Sequence, residues 1–288
     1  MFKIELDTKD FLKMKEMISK VFIDLPIEVH KDGYRIRNIS QTKEVVITMD
    51  FDKNDMKGFE YDNKNNVFFN LPFGEFLDAV KKIKAPIEIG EEGTAKIYIK
   101  SEKITSTIDK QDVDKDLFTN HDAFLKQYTK KGTTKIIIGR GDFIDAVDQL
   151  SFSSSGVTMT VKDKKLTFES MKGVLSAKYE IDVDIDKSFE WTGAFNSLYM
   201  SMIKNLALYS KDVIFHVKEP GPDETLAVIV DLAVAPNSSV SLIMAGLKEG
   251  DTIDEEEEDE STEVAEEEDD FDFEEEETDN YYDEDEEF

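Results

Sequence analysis

Apolar and polar residues alternate over residues 2–6, with Phe2, Ile4 and Leu6 on one face and Lys3 and Glu5 on the other, the period-two pattern of a strand. Asp7 and Thr8 then offer side-chain oxygens that can cap a helix, and the period lengthens. Over residues 10–22, Phe11, Met14, Ile18, Val21 and Phe22 share one helical face, while Lys9, Lys13, Glu16 and Lys20 cluster opposite. Strand-like stretches follow at 23–30, 34–39 and 45–51, with Lys31-Asp32-Gly33 as a tight turn between the first two.

The same order of elements recurs three times. A second unit runs from a strand at 67–71 into a helix opened by Pro72, whose apolar face is Phe73, Phe76, Leu77, Val80 and Ile83, and then into strands at 86–89, 95–100 and 104–108. The third has a strand at 135–138, a helix over 141–150 and strands at 157–161, 166–169 and 174–183. A strand at 189–191, a helix over 194–206 and strands at 213–217, 226–230 and 240–244 make the fourth. Phe76-Leu-Asp-Ala-Val80 also matches Phe143-Ile-Asp-Ala-Val147 residue for residue in character. Four strand-helix-strand-strand-strand units are an internal repeat, and the polar stretch between the second and third divides the chain into two halves of two units. The predicted fold class is therefore α+β, with an N-terminal domain over 1–110, a linker over 111–133, a C-terminal domain over 134–248 and a tail over 249–288. A sheet covered by helices on one face leaves each helix a polar side for water or a ligand.

Charge separates the tail from the body. The chain of 288 residues carries 65 Asp and Glu against 35 Lys and Arg, a formal charge of −30. Residues 251–288 alone hold 25 of those acids and no Lys or Arg, which leaves a near-neutral body of 40 acids and 35 bases. Such a tail cannot bury enough apolar surface to fold and is expected to be disordered. It also holds five aromatics, Phe271, Phe273, Tyr281, Tyr282 and Phe288.

Several chemistries are unsupported by the residues present. The chain has no cysteine, which removes thiol nucleophiles and thiolate metal sites and suits a reducing compartment. His30, His121 and His216 are far apart in sequence, against a zinc site or a His-dependent triad. Gly139-Arg-Gly141 opens a helix after a strand, but Ile144 stands where a dinucleotide fingerprint needs a small residue. Asp112, Asp114 and Asp116 begin like a calcium loop, yet Leu117 replaces the turn glycine and Ala123 the bidentate Glu. Asp182, Asp184 and Asp186 read as a solvent face. No signal segment or membrane span is evident, the longest apolar stretch being 226–235 with Asp231 inside it. No catalytic set, metal or cofactor is expected, and the protein is expected to be intracellular.

In residues 141–150 (GDFIDAVDQL), Ser155-Gly-Val157, Leu166-Thr-Phe168, the stretches 173–182 and 195–217, Leu242-Ile-Met-Ala245, Asp32-Gly-Tyr-Arg-Ile36 and Asn38-Ile-Ser40, the chain resembles the sliding-clamp family typified by proliferating cell nuclear antigen. The resemblance covers about residues 2–247. It implies a DNA-clamp fold, a homotrimeric ring with sheets outside and helices lining a hole for double-stranded DNA, and no enzymatic activity. Such a ring tethers DNA polymerase and other clamp-binding proteins and is placed on DNA by a clamp loader. Carried over, the subunit contact falls on Ile104 and Ile108 of one edge strand and Val174 and Ile181 of another. The partner pocket falls on Ile39, on Leu117 and Phe118 of the linker, and on Leu232, Val234 and Ile243.

Contact with DNA phosphates is expected from Lys9, Lys13, Lys20, Lys81, Lys82 and Lys204, because non-specific attraction needs only repeated, uncovered cations. The third helix departs from that pattern, its outward face being Asp145, Asp148 and Gln149, and Asp78 faces outward on the second. Two further readings stand beside the clamp. One is a clamp-like viral accessory or transcription factor; the other is an acidic-tail chaperone for basic proteins. The expected location follows the host: nucleus if eukaryotic, cytoplasm or nucleoid if archaeal, or a viral replication site.

Overall fold

The computed structural model describes residues 1–6, 21–22, 24–72, 74–76, 87–93, 95–101, 104–113, 133–150, 156–172, 175–186, 188–218 and 226–247. Met1–Asp251 forms one compact unit, and the tail expected over 249–288 lies outside the described residues. The first half of this unit holds strands β1 (Phe2–Leu6), β2 (Asp24–His30), β3 (Gly33–Ile39), β4 (Val45–Asp52), β5 (Gly58–Tyr61), β6 (Val67–Pro72), β7 (Ile87–Glu92), β8 (Lys96–Lys100) and β9 (Thr105–Asp109). The second half holds β10 (Thr134–Gly139), helix α1 (Arg140–Leu150), β11 (Gly156–Lys162), β12 (Lys165–Lys172), β13 (Leu175–Asp182), β14 (Trp191–Asn196), helix α2 (Ser197–Ala207), β15 (Asp212–Val217), β16 (Ala227–Ala233) and β17 (Ser239–Ala245).

The strands form three antiparallel sheets, ordered β5-β1-β7-β8-β9, β10-β15-β16-β17-β4-β3-β2-β6 and β13-β12-β11-β14. Within each half the two repeat units exchange their leading strands. β1 leads the first unit but pairs with β7 of the second, while β6 leads the second and pairs with β2 of the first. The second half repeats the exchange, β10 pairing with β15 and β14 with β11.

The middle sheet runs through both halves, because β17 pairs with β4 in the register Val240–Met49, Leu242–Ile47 and Met244–Val45. All six of these side chains are fully buried. Polar contacts fasten both ends of this seam. At one end the Asp55 carboxylate accepts from Ser238 Oγ at 2.6 Å and from the Asn237 backbone N–H at 2.9 Å. At the other, Tyr199 OH on α2 donates to the Glu44 carboxylate at 2.7 Å, and the Ala245 N–H donates to the Glu44 carbonyl at 2.7 Å.

Aromatic contacts tie the layers together. Phe143 of α1, Phe168 of β12 and Phe215 of β15 meet with ring centroids 5.7 to 6.5 Å apart, so one cluster joins a helix to two sheets. Phe2 of β1 stacks on Phe69 of β6 at 5.7 Å, joining the five-stranded sheet to the middle one.

The hairpin between β2 and β3 turns at Lys31-Asp32, as the sequence predicts, and closes on Gly33. Gly33 has φ +150°, and a Cβ there would lie 1.9 Å from the Phe51 carbonyl oxygen, so only glycine fits. Other expectations are corrected. Pro72 ends β6 instead of opening a helix, and residues 74–76 are helical. The strand expected at 189–191 lies at Trp191–Asn196, which takes Ala194 out of the predicted helix. Asn196 sets the true start of α2 by accepting from the Leu198 N–H, a capping bond that outweighs the helix propensity of Ala194. β5 has no counterpart in the predicted elements.

Two measurements test the seam. Leu242→Ala removes a buried side chain from it and is expected to cost about 2–5 kcal/mol, read as a lower urea midpoint. The second concerns pH. Desolvation would raise the Asp55 carboxyl, but hydrogen bonds from Ser238 and Asn237 outweigh it and hold the group below the ordinary range. A carboxyl depressed on folding stabilises the native state above its unfolded pKa and loses that contribution as pH falls through the folded value. Asp55→Asn is therefore expected to be less stable at neutral pH and to lose less stability on acidification below about pH 4, as urea titrations at several pH values would show.

Candidate functional site

Three surfaces carry the residues singled out by the sequence. On the helical side, α1 buries Phe143, Ala146, Val147 and Leu150 and exposes Asp142, Asp145, Asp148 and Gln149, as expected from its period. α2 runs beside it and buries Tyr199, Met200, Met202, Ile203, Leu206 and Ala207. Leu198, expected on the buried face opposite Lys204, is instead 41 % exposed. Lys204 is half-buried and forms an ion pair with Asp148 across the two helices. The one predicted DNA-contacting lysine that the structure describes thus has its charge offset by a neighbour. Lys9, Lys13, Lys20, Lys81 and Lys82 lie outside the described residues.

The second surface is the face of the middle sheet turned away from the main core. There a cross-strand row runs Ile39, Val46, Ile243, Ile229, His216 and Lys135 through β3, β4, β17, β16, β15 and β10. The structure thus brings Ile39 and Ile243 of the expected partner pocket onto either side of Val46. Ile39 is 38 % exposed and Ile243 only 6 %, packed with Ile229 and Ala227 in a small cluster of its own. Leu232 does not belong to this surface: alternation along β16 turns it into the main core, where it is fully buried. Val234, just past the strand, packs against that same core. Leu117 and Phe118 lie outside the described residues.

Beside the row is a polar group that sequence reading missed. Asp231 accepts from Ser241 Oγ at 2.6 Å and pairs with His216 Nε2 at 2.8 Å. Burial pushes the Asp231 carboxyl up, but the bonds from His216 and Ser241 outweigh it and hold the group low. His216, Asp231 and Ser241 come from three strands, and only strand register brings them together. The serine hydroxyl is bonded to the carboxylate and not to the imidazole, an arrangement that ties strands together rather than activating a nucleophile.

The third surface consists of two sheet edges. β9 ends the five-stranded sheet and β13 the four-stranded one, and among the described residues no strand pairs with the outer edge of either. Ile104 beside β9 is 41 % exposed, whereas Ile108 and Ile181 point inward and are each 8 % exposed. Their contribution to a subunit contact would therefore come from their backbone. Val174 lies outside the described residues. On β13, Glu180 bonds to Lys178 and Lys165, which hold its carboxyl down to about 2.

The crystal structure of PCNA from Thermococcus kodakaraensis superposes with a TM-score of 0.66, covering 86 % of this chain and 100 % of that one at 13 % sequence identity. No family model matches the sequence, and no curated protein matches it. The chain has a PCNA-like clamp fold.

Proposed function

We propose that this chain is a DNA sliding clamp, a polymerase processivity factor that encircles duplex DNA as a ring and tethers replication and repair enzymes. The observation that carries the reading is that two of the open sheet edges, β9 and β13, correspond to the two strands that pair within the chain. β9 is to the first half what β17 is to the second, the last strand of its second unit, and β13 corresponds in the same way to β4. Within the chain β17 and β4 pair; between chains β13 of one copy and β9 of the next can pair likewise. Such a head-to-tail contact is heterologous, and it closes into a ring when the rotation per copy allows. The resemblance to the clamp family supports three copies. Closure also covers two edges that would otherwise invite uncontrolled pairing.

In this ring the helices face the DNA, and the acidic side of α1 makes the contact uneven. Retention then rests on topology, since a closed ring is left only by opening or at a DNA end. The row from Ile39 through Val46 to Ile243 supports an apolar docking surface for clamp-binding peptides of polymerase and other partners, with Ile39 and Val46 as the more accessible members.

Protein loaded on nicked circular DNA is expected to remain bound and to slide off after linearisation; equal loss from both templates would overturn the reading. A second measurement concerns the lysines. Replacing Lys13, Lys20, Lys81 or Lys204 by Ala is expected to weaken retention without sequence preference. Each loss should flatten the log–log salt dependence by roughly one unit. Asp148→Asn, which releases Lys204 from its ion pair, and Asp145→Lys should both increase retention at low salt.

A further inference from the structure

The repeat goes further than identifying the edges, because it fixes which residues face each other across them. One constant sequence offset places Lys3-Ile4 on Lys135-Ile136, Asp10-Phe11 on Asp142-Phe143 and the hairpin closed by His30 and Gly33 on the one closed by Lys162 and Lys165. The pairing ladders carry this equivalence across each sheet. Ile4 pairs with Ile89, Ile89 with Ile99, and Ile99 with Ser106. In the second half Ile136 pairs with Phe215, Phe215 with Val230, and Val230 with Leu242. Ser106 therefore occupies the place of Leu242, and by the same steps Ile104 that of Val240 and Thr107 that of Ile243. On the other edge Ile36 pairs with Met49 as Phe168 pairs with Tyr179, so Tyr179 stands for Met49, Ala177 for Ile47 and Ser176 for Val46.

On the clamp reading above, we infer that a second copy of this chain pairs its β13 with β9 in the register Ile104–Tyr179, Ser106–Ala177 and Thr107–Ser176. The seam between copies is then a weakened replica of the seam within the chain. Leu242 and Ile47, both fully buried in the inner seam, are replaced at its centre by Ser106 and Ala177. On the opposite face Ile243 and Val46 give way to Thr107 and Ser176. The apolar anchor that remains is Ile104, 41 % exposed in the single chain, against Tyr179, which packs partly on the core. For an equal number of backbone hydrogen bonds, the difference lies in apolar burial, and the large-to-small central pair makes the joint between copies weaker than the inner seam.

The absence of cysteine from the sequence permits a direct test. Thr107 and Ser176 are both exposed, so the double variant Thr107→Cys with Ser176→Cys leaves the core untouched. Oxidation of the full-length protein is expected to give covalently linked dimers and closed rings, with little product from the shifted pair Thr107→Cys with Lys178→Cys. Preferential linkage of the shifted pair would overturn the register. Native mass showing a ring while neither pair links would place the contact elsewhere and leave the clamp reading standing. A protein that stays monomeric at all concentrations and links with neither pair would overturn both. As an independent measure, Ser106→Leu with Ala177→Val restores apolar bulk at the centre of the seam. It is expected to lower the concentration at which rings dissociate on dilution by about tenfold or more. Unchanged or earlier dissociation, in a variant whose melting temperature is unaltered, would overturn the assignment of the weak point.

Discussion

A strand at the edge of a sheet presents unpaired N–H and C=O groups along one side, and the architecture of this chain follows from how those edges are disposed of. Exchange of leading strands gives each repeat unit a fourth strand from its neighbour. Pairing of β17 with β4 then joins the two halves in one eight-stranded sheet, with six apolar side chains sealed beneath and polar contacts at Asp55 and Glu44 at the ends. What the chain does once within itself it leaves undone at β9 and β13, two of the six strands that end its three sheets. The clamp reading rests on that imbalance, since two complementary edges on one molecule are most simply satisfied by further copies.

Charge divides the molecule along different lines. The described helices present Asp142, Asp145 and Asp148, and the Lys204 ammonium is engaged by Asp148. A face of that kind does not hold polyanions by simple attraction, so a clamp built on it depends on closure more than on contact. Residues 251–288 add 25 acids to the chain and none of the bases. The −30 formal charge is thus concentrated in the tail, and the near-neutral body is compatible with a DNA partner.

Much of the second half was legible because its alternation is regular. The hydrophobic spacing of Phe143, Ala146, Val147 and Leu150 located α1 and its exposed acids, and Lys31-Asp32-Gly33 located a turn that only glycine can close. Errors arose where two local signals competed. Ala194 suits a helix by propensity, but Gly193 and Phe195 complete a strand's buried face and Asn196 caps the helix that follows. Leu232 is expected in the pocket wall by resemblance alone, which does not disclose its side of the sheet. Its parity with Val228 and Val230 turns it inward.

By itself the sequence determined the repeat, the α+β class, the separation of an acidic tail from a balanced body and the absence of thiol chemistry. These depend on periodicity and composition, which are local properties. Only the tertiary structure decided which strands share a sheet, that Asp231 gathers His216 and Ser241, that Ile39 and Ile243 flank Val46, and that Lys204 is paired with Asp148. Those outcomes turn on register and on long-range pairing. A shift of one residue moves a side chain to the opposite face of a sheet, and no local pattern encodes the partner across it.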